Sequence, residues 1–187
     1  MTSARFFLLP SAVLLSFPLF SFFFILSSMP PQPFLDLATI NLDARLYEGD
    51  DIRKLLPHRG AMALLDGIVA LAPDKSWIVG YKDARADEFW VPGHFPENPI
   101  VPGVVSIEAA GQLAVCFYKL TVPEISNRLV VFGGVDGVRF RGIVRPGDRV
   151  WLLAKPIEVN RRMAKCFTQA IVDGKVTYEG TILGIPT

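Results

Sequence analysis

Cysteine and histidine are scarce in this chain of 187 residues, and their scarcity excludes several classes of protein. The two cysteines, Cys116 and Cys166, lie far apart and form no CxxC pair, and the chain has two histidines. Zinc ribbons and disulfide scaffolds need several closely spaced ligands or bridges, so both are excluded. Charge of one sign is also scarce. The formal net charge of +1 argues against a general polyanion binder.

Apolar residues are abundant, and their distribution along the chain is uneven. The chain is 51% hydrophobic and 20% charged, which excludes intrinsic disorder. Residues 6–26 carry no charge and hold seven of the 14 phenylalanines, and this run of 21 residues is long enough to cross a membrane. Three interpretations of residues 1–28 stay open: a start site assigned upstream of a true start at Met29, a signal peptide, or a membrane anchor. Closely spaced prolines mark residues 29–50 as a linker, so the folded domain is predicted over residues 51–187.

The predicted fold class of residues 51–187 is α+β. A single long helix is predicted over residues 103–120, and it is apolar on almost every side, which indicates a helix buried all round. Asp136-Gly137 and Asp173-Gly174 have the composition of tight turns between strands. Strands are predicted over residues 64–71, 77–81, 129–135, 138–144, 150–159, 164–172 and 175–183. This order predicts an antiparallel sheet wrapped around a central helix.

Residues 93–108 hold the side chains best suited to chemistry. His94 lies in a loop stiffened by prolines, and the central helix begins soon after it, at Gly103. The first N–H groups of a helix have no partner within it and carry partial positive charge. If a thioester carbonyl were placed beside it, the N–H of Val104 would stabilise the oxyanion of an enolate.

Glu108 is the acidic residue of the apolar helix, and Gln112 follows it one turn later. Burial of a carboxylate without a purpose is costly, which favours a functional role over a surface role. Desolvation is expected to raise the pKa of Glu108 towards the range useful for proton transfer. His58 follows Pro57 at the end of a predicted helical turn and is interpreted as a structural capping group.

These residues form part of an ordered set of motifs that resembles a known enzyme family. The set resembles the signature of FabZ-type (3R)-hydroxyacyl-[acyl carrier protein] dehydratases, in the FabA/FabZ family of the hot-dog superfamily. The resemblance covers about residues 51–185. It implies the hot-dog fold, in which a six- or seven-stranded antiparallel sheet wraps a long helix. The motifs are Leu55-Leu56-Pro57-His58-Arg59, Gly93-His94-Phe95-Pro96, Pro102-Gly103-Val104, Ile107-Glu108-Ala109 with Gln112, Val138-Arg139-Phe140-Arg141 and Pro146-Gly147-Asp148.

The resemblance implies an activity, a set of site residues and an assembly. The implied reaction is dehydration of a 3-hydroxyacyl thioester to the trans-2-enoyl thioester, without a metal or redox cofactor. His94 would remove the α-proton, Glu108 would assist departure of the β-hydroxyl, and the backbone N–H groups at Gly103 and Val104 would hold the carbonyl. In this family one site takes its His and Glu from two subunits, which implies a homodimer or a trimer of dimers. The residues that would support the site are Phe95, Pro96 and Gln112.

Local charge indicates a partner. Residues 139–165 carry eight basic and two acidic side chains, a charge of +6 in a chain whose total is +1. Arg139 and Arg141 alternate with apolar residues and are predicted to share one strand face. Two interpretations of this face stay open: a solvated strand surface, or a docking site for an acidic acyl carrier protein and its phosphopantetheine phosphate. The chain has no motif typical of nucleic-acid binding, so that partner is not expected.

Two rival functions and three departures from the family pattern complete the sequence-based view. Two of the departures are Glu97 after the His-Phe-Pro run and Gly60-Ala61-Met62-Ala63 after Pro-His-Arg, and the third is Gly111. A hot-dog acyl thioesterase and a non-catalytic acyl-binding scaffold subunit are the alternatives to a dehydratase. A cytoplasmic location is expected unless the leader directs the chain to a membrane or out of the cell. Gly111 stands inside the helix, where glycine costs about 1 kcal/mol relative to alanine. These departures leave His94 and Glu108 in place and bear on the space for the acyl chain.

Overall fold

The structure is a computed structural model, and it describes residues 30–187. The interpretations of residues 1–28 concern a segment that lies outside the described residues. The compact unit described below runs from Gln32 to Thr187.

Seven antiparallel strands form one sheet, in the order β1-β2-β3-β5-β6-β7-β4. The strand β4 lies at one edge and pairs with β7, whereas the short β1 lies at the other edge. A short helix, α1, follows β1, and the long helix α2 lies between β3 and β4 in the chain. The bounds are β1 Tyr47–Glu48, α1 Asp50–Leu55, β2 Gly67–Leu71, β3 Ile78–Asp83, α2 Gly103–Thr121, β4 Val130–Phe140, β5 Arg149–Val159, β6 Ala164–Val172 and β7 Lys175–Pro186.

Helix α2 is the centre of the main core, as predicted. It begins directly after Pro102, and Pro123 prevents its continuation beyond Thr121. Its middle and C-terminal turns are buried against β5, β6 and β7, with Leu113 and Phe117 almost fully enclosed. Among residues 30–187 this helix alone is long and apolar enough to cross a membrane, and it has the packing of a core helix. The predicted α+β architecture, with one helix wrapped by an antiparallel sheet, is confirmed.

The segment around Asp136-Gly137 was predicted as a turn between two strands, and this prediction is wrong. Both flanking pieces belong to the single strand β4, which pairs with β7 along its length. The register with β7 shifts between Asp136 and Arg139, and Gly137 takes a φ of +61° there. The glycine therefore accommodates an irregularity within the strand instead of reversing the chain.

Residues 32–42, named the strap here, differ from the linker that the prolines indicated. The strap crosses the outer face of the sheet, and its apolar side chains pack on a second core cluster. Gln169 of β6 fixes it in place, since its Oε1 accepts the Phe34 N–H at 2.9 Å and its Nε2 donates to the Gln32 carbonyl at 3.2 Å. The compact unit thus begins well before the domain boundary predicted at residue 51. The cluster residues beneath the strap are Val69, Val79, Leu153, Ile171 and Val176.

Candidate active site

The loop between β3 and α2 holds His94 by backbone contacts on both sides. The His94 N–H donates to the Trp90 carbonyl at 2.9 Å, and the Ile100 N–H donates to the His94 carbonyl at 2.9 Å. The imidazole Nδ1 lies 2.9 Å from the Ile100 carbonyl oxygen. Because a carbonyl can only accept, Nδ1 carries the hydrogen in this contact and Nε2 is left as the basic nitrogen. The Phe95 ring stacks on the imidazole with the ring centroids 4.3 Å apart.

A buried ion pair anchors the start of this loop. Lys82 Nζ lies 2.7 Å from Glu88 Oε1, and both side chains are almost completely enclosed. The indole N–H of Trp90 donates to Glu88 Oε2 at 2.9 Å, which fixes the residue that in turn holds His94. Desolvation alone would raise the pKa of Glu88, but hydrogen bonds from Arg85, Lys82 and Trp90 outweigh it and lower that pKa. The start of the loop is therefore anchored by the ionised carboxylate of Glu88, which accepts hydrogen bonds on both oxygens.

His94 lies at the first turn of α2, beside the predicted oxyanion donors. His94, Gly103 and Val104 line a cavity of about 390 Å³. Among residues 30–187 no backbone acceptor pairs with the N–H of Gly103 or Val104, whereas the Val105 N–H donates to the Pro102 carbonyl. A Cβ at Gly103 would overlap the exposed Phe140 ring, which packs against the start of α2 at this point. These three residues are called the base half-site below.

Glu108 lies one turn further along α2 and opens into a different cavity. Gln112 fixes its carboxylate, because Gln112 Nε2 donates to Glu108 Oε1 at 2.9 Å and to the Met62 carbonyl at 2.7 Å. Gln112 Oε1 accepts the N–H groups of Leu64 and Leu65 at 3.0 and 3.2 Å. The predicted supporting residue Gln112 is thus a fully bonded link between Glu108 and the segment before β2.

His58 is the second contact of Glu108, and the interpretation of His58 as a helix cap is wrong. Its Nε2 lies 3.3 Å from Glu108 Oε1, and its buried Nδ1 has no partner among the described residues. The C-cap of α1 is Leu56, whose N–H bonds to the Ile52 carbonyl, so no capping role remains for the imidazole. The sequence did not predict this contact because the two residues lie far apart in the chain. The order of the motifs indicated that both belong to one domain, but it did not indicate that their side chains touch.

The expected upward shift of the pKa of Glu108 is also wrong. The hydrogen bond from His58 lowers this pKa, burial raises it, and the contacts with Gln112 lower it further, so the net shift is downward. Glu108 therefore rests as a carboxylate. Glu108, Gln112 and His58 are called the acid half-site below, and they line a largely apolar cavity of about 260 Å³ that continues along Ala114, Val115, Tyr118, Leu129, Phe132 and Ile182.

A single chain keeps the predicted pair apart. His94 lines the cavity of the base half-site, and Glu108 lines the cavity of the acid half-site. The N-terminal turn of α2 between them is uncovered, since Val104 is 68% exposed. Of the predicted supporting residues, Gln112 contacts Glu108 and Phe95 contacts His94, whereas Pro96 is exposed.

This architecture defines a class of protein, the hot-dog fold. The dehydratase heterocomplex ApeI:P from Xenorhabdus doucetiae matches the structure with a TM-score of 0.63 and 16% identity, over 73% of this chain and 90% of that chain. Cj0977, a virulence protein from Campylobacter jejuni, matches with a TM-score of 0.55 and 16% identity, over 79% of this chain and 96% of that chain. At these identities the likeness shows the fold alone.

Sequence comparison goes further than the fold. The FabA-like domain family matches residues 56–181, and the chain belongs to this family. The 3-hydroxyacyl-[acyl-carrier-protein] dehydratase FabZ of Coxiella burnetii is 35% identical over 137 residues, which cover 72% of this chain and 96% of that protein. The FabZ of Ruminiclostridium cellulolyticum is 39% identical over 132 residues, covering 71% of this chain and 92% of that protein.

The predicted docking arginines are exposed at the end of β4. Arg141 Nε donates to Glu179 Oε1 at 2.9 Å, and Arg139 donates to the Val138 carbonyl at 2.8 Å. A second basic surface, named the basic groove here, is a cleft of about 370 Å³ that shares Leu129 with the cavity of the acid half-site. Within this groove Lys119 is only 9% exposed and makes no ion pair among the described residues. The basic residues of the groove are Arg53, Lys54, Arg59, Lys119 and Arg128.

Proposed function

We propose that this chain dehydrates 3-hydroxyacyl thioesters carried by acyl carrier protein to trans-2-enoyl thioesters. The observation that carries the proposal is that the chain holds a general base and a carboxylate in two separate half-sites, each suited to one part of the reaction. One half-site holds a basic imidazole beside free helix N–H groups, and the other holds a carboxylate at the mouth of an apolar cavity. Abstraction of an α-proton needs the first, and departure of a β-hydroxyl into a site for an acyl chain needs the second.

In this proposal each group acts at a stated atom. The thioester carbonyl accepts hydrogen bonds from the N–H groups of Gly103 and Val104, which stabilise the enolate oxygen. His94 Nε2 takes the α-proton, while its Nδ1–H keeps the ring oriented on the Ile100 carbonyl. Glu108 faces the β-carbon and assists the hydroxyl as the carbon–oxygen bond breaks. A thioesterase would instead need an attacking water at the carbonyl, and the residue pair that resembles the dehydratases favours elimination.

A second copy of the chain would bring the half-sites together. The edge strand β4 and the first turn of α2 expose several large apolar side chains, and an uncovered edge strand of this kind pairs readily with another strand. Both elements adjoin the half-sites, so a homodimer formed there would place His94 of one subunit near Glu108 of the other. A trimer of such dimers, the larger assembly that the family resemblance implies, would need a further surface outside this one. The exposed residues are Leu129, Val131, Phe132, Val135, Phe140 and Val104.

Complementation between two inactive variants tests the activity and the shared site together. His94→Ala and Glu108→Gln should each lower turnover by roughly 10²–10⁴-fold, the usual contribution of a general acid or base. Refolding the two variants as a mixture should restore about a quarter of wild-type activity, because half of randomly paired dimers are mixed and each has one intact site. Enoyl absorbance measures turnover. Proven mixed dimers without activity would contradict the shared site.

For the carrier we propose two candidate surfaces, the predicted pair Arg139 and Arg141 and the basic groove. Both present cations that an acidic carrier and its phosphate would contact. Replacing Arg139 and Arg141 by Glu should raise KM for a carrier-linked substrate and leave a small thioester mimic unaffected. The matched variant replaces Arg53 and Lys54 of the groove by Glu. The surface that docks the carrier is the one whose reversal raises this KM, and equal effects on both substrates would exclude docking.

A further inference from the structure

His58 is a third ionisable group at the acid half-site, and the proposed reaction gives it no role. It lies in the segment after α1, which Arg59 clamps by donating to the carbonyls of Leu56 at 2.7 Å and Arg53 at 3.0 Å. Arg59 also donates to the carbonyl of His58 itself at 2.7 Å. The imidazole is therefore held by backbone contacts and by Glu108, and it is about three-quarters enclosed, with 27% of its side chain exposed.

The polar contacts of the Glu108 carboxylate lie on one of its two oxygens. His58 Nε2 and Gln112 Nε2 both approach Oε1, at 3.3 and 2.9 Å. Among residues 30–187 no donor lies on Oε2, so that oxygen is left for a ligand in the cavity. A carboxylate that contacts an imidazole through one oxygen and faces substrate through the other can pass a proton from the imidazole to the substrate when the carboxyl group rotates.

The remaining charged groups around His58 have other partners. His58 lines two neighbouring cavities, and the ionisable residues that line them besides Glu108 are Arg53, Asp66, Arg85 and Tyr118. Arg53 pairs with Asp50, Arg85 pairs with Asp66, and Tyr118 donates to the Asn160 carbonyl. The Arg59 guanidinium donates its hydrogen bonds to backbone carbonyls. Among residues 30–187, Glu108 is thus the one carboxylate that His58 contacts directly.

We propose that His58 supplies the proton that Glu108 delivers to the departing hydroxyl. This inference rests on the proposed dehydration, in which the acid must hold a proton although Glu108 rests as a carboxylate. His58 begins this step as an imidazolium, and its Nε2 proton passes to Glu108 Oε1. Rotation of the carboxyl group then turns this O–H towards the cavity, and the proton passes to the β-oxygen as the carbon–oxygen bond breaks with its electron pair on oxygen, so that water forms. His94 ends protonated, His58 ends neutral, and exchange with solvent restores both.

The test compares His58→Gln with His58→Leu. Glutamine keeps an N–H for Glu108 but cannot ionise, whereas leucine provides neither a hydrogen bond nor a charge. If His58 supplies the proton, both variants should lower kcat by about 10²-fold or more. In His58→Gln, Glu108 must carry the proton itself. The alkaline limb of kcat/KM should therefore move to lower pH, because the proton must now be held by a carboxyl group.

Each outcome decides between the inference and its alternatives. Retention of the rate and the alkaline limb in His58→Gln, or a lower rate with an unmoved limb, overturns the proton relay and leaves a positioning role. Wild-type protein that forms no enoyl product overturns the proposed function, and the relay with it. A readout independent of turnover is the carboxyl titration of Glu108 by carbon NMR. Its pKa should rise in His58→Leu, and an unchanged pKa would mean that the two side chains do not interact.

Discussion

At the scale of single residues, Gly111 shows how one position serves both packing and the acyl cavity. The sequence marks this glycine as a cost to the helix. In the structure, a Cβ at this position would overlap the far end of the Phe132 ring, and both residues line the cavity of the acid half-site. The glycine thus makes room for the Phe132 ring beside α2, and the position of this ring shapes the cavity.

Gly111→Ala should displace the Phe132 ring, alter the shape of the cavity and change the preference for acyl chain length. We expect kcat/KM for long-chain substrates to fall roughly tenfold relative to short-chain substrates, the scale of one methylene group in an apolar pocket. Assays with a series of acyl chain lengths measure the ratio. The double variant Gly111→Ala/Phe132→Ala removes the overlap and should restore long substrates. An equal loss at every chain length would contradict a gating role.

At the scale of elements, the strap is held by a small number of contacts that can be removed separately. Gln169→Leu keeps most of the side-chain volume but removes the hydrogen bonds that Gln169 makes with the Phe34 N–H and the Gln32 carbonyl. Loss of bonded partners for half-buried groups costs about 1–3 kcal/mol. Urea unfolding should therefore give a lower free energy of unfolding.

Limited proteolysis provides the matching local readout for Gln169→Leu. Cleavage within residues 32–42 should become faster while the rest of the domain stays protected. The contrasting variant is Lys155→Met, which removes a cation 4.8 Å from the Phe34 ring centroid and leaves the backbone bonds intact. It should cost less than Gln169→Leu, since cation–π contacts at exposed sites contribute about 0.5–1 kcal/mol. An equal or greater loss in Lys155→Met would show that ring contacts, not Gln169, hold the strap.

The elements also show where sequence patterns succeed and where they fail. The hairpin at Asp173-Gly174 was predicted from two residues, and both have positive φ angles, of 48° and 72°. The same composition at Asp136-Gly137 gave a wrong prediction of a turn, because β4 pairs with β7 on both sides of these residues. A local sequence pattern does not indicate pairing with a strand that is distant in the chain. The strap offered a signal in its apolar residues Phe34, Leu35, Leu37, Ile40 and Leu42, but the prolines before it indicated a linker.

The site was predictable to the extent that its residues are close in sequence. His94, Gly103 and Val104 lie within one loop-to-helix segment, and the structure places them in one cavity. The contact between His58 and Glu108 was not predicted, because it depends on how the segment after α1 packs against α2. Hydrogen bonds of Gln112 and Arg59 set that packing, and neither has a periodic signature in the sequence.

At the scale of the whole molecule, the compact unit begins at Gln32, and this start predicts different behaviour for two shortened chains, one that keeps the whole unit and one that does not. A chain starting at Met29 keeps the strap and should be soluble, dimeric and active, because every element described here lies after it. A chain starting at Asp51 loses the strap and β1 and exposes the apolar cluster beneath, so it should aggregate. Gel filtration and enoyl absorbance distinguish the two. An insoluble Met29 chain beside a full-length protein active in membranes would instead identify residues 1–28 as an anchor.

The scarcity of histidine has a spectroscopic consequence. The chain has two imidazoles, one in each half-site. A proton NMR spectrum therefore contains one set of ring signals from His94 in the base half-site and one set from His58 in the acid half-site. His94→Gln would assign both sets in a single comparison. Because His58 contacts Glu108 within one chain whereas the proposed contact of His94 with Glu108 crosses between chains, dilution should perturb the His94 signals at the concentration where subunits separate. The two natural reporters would thus follow assembly and active-site closure without any added label.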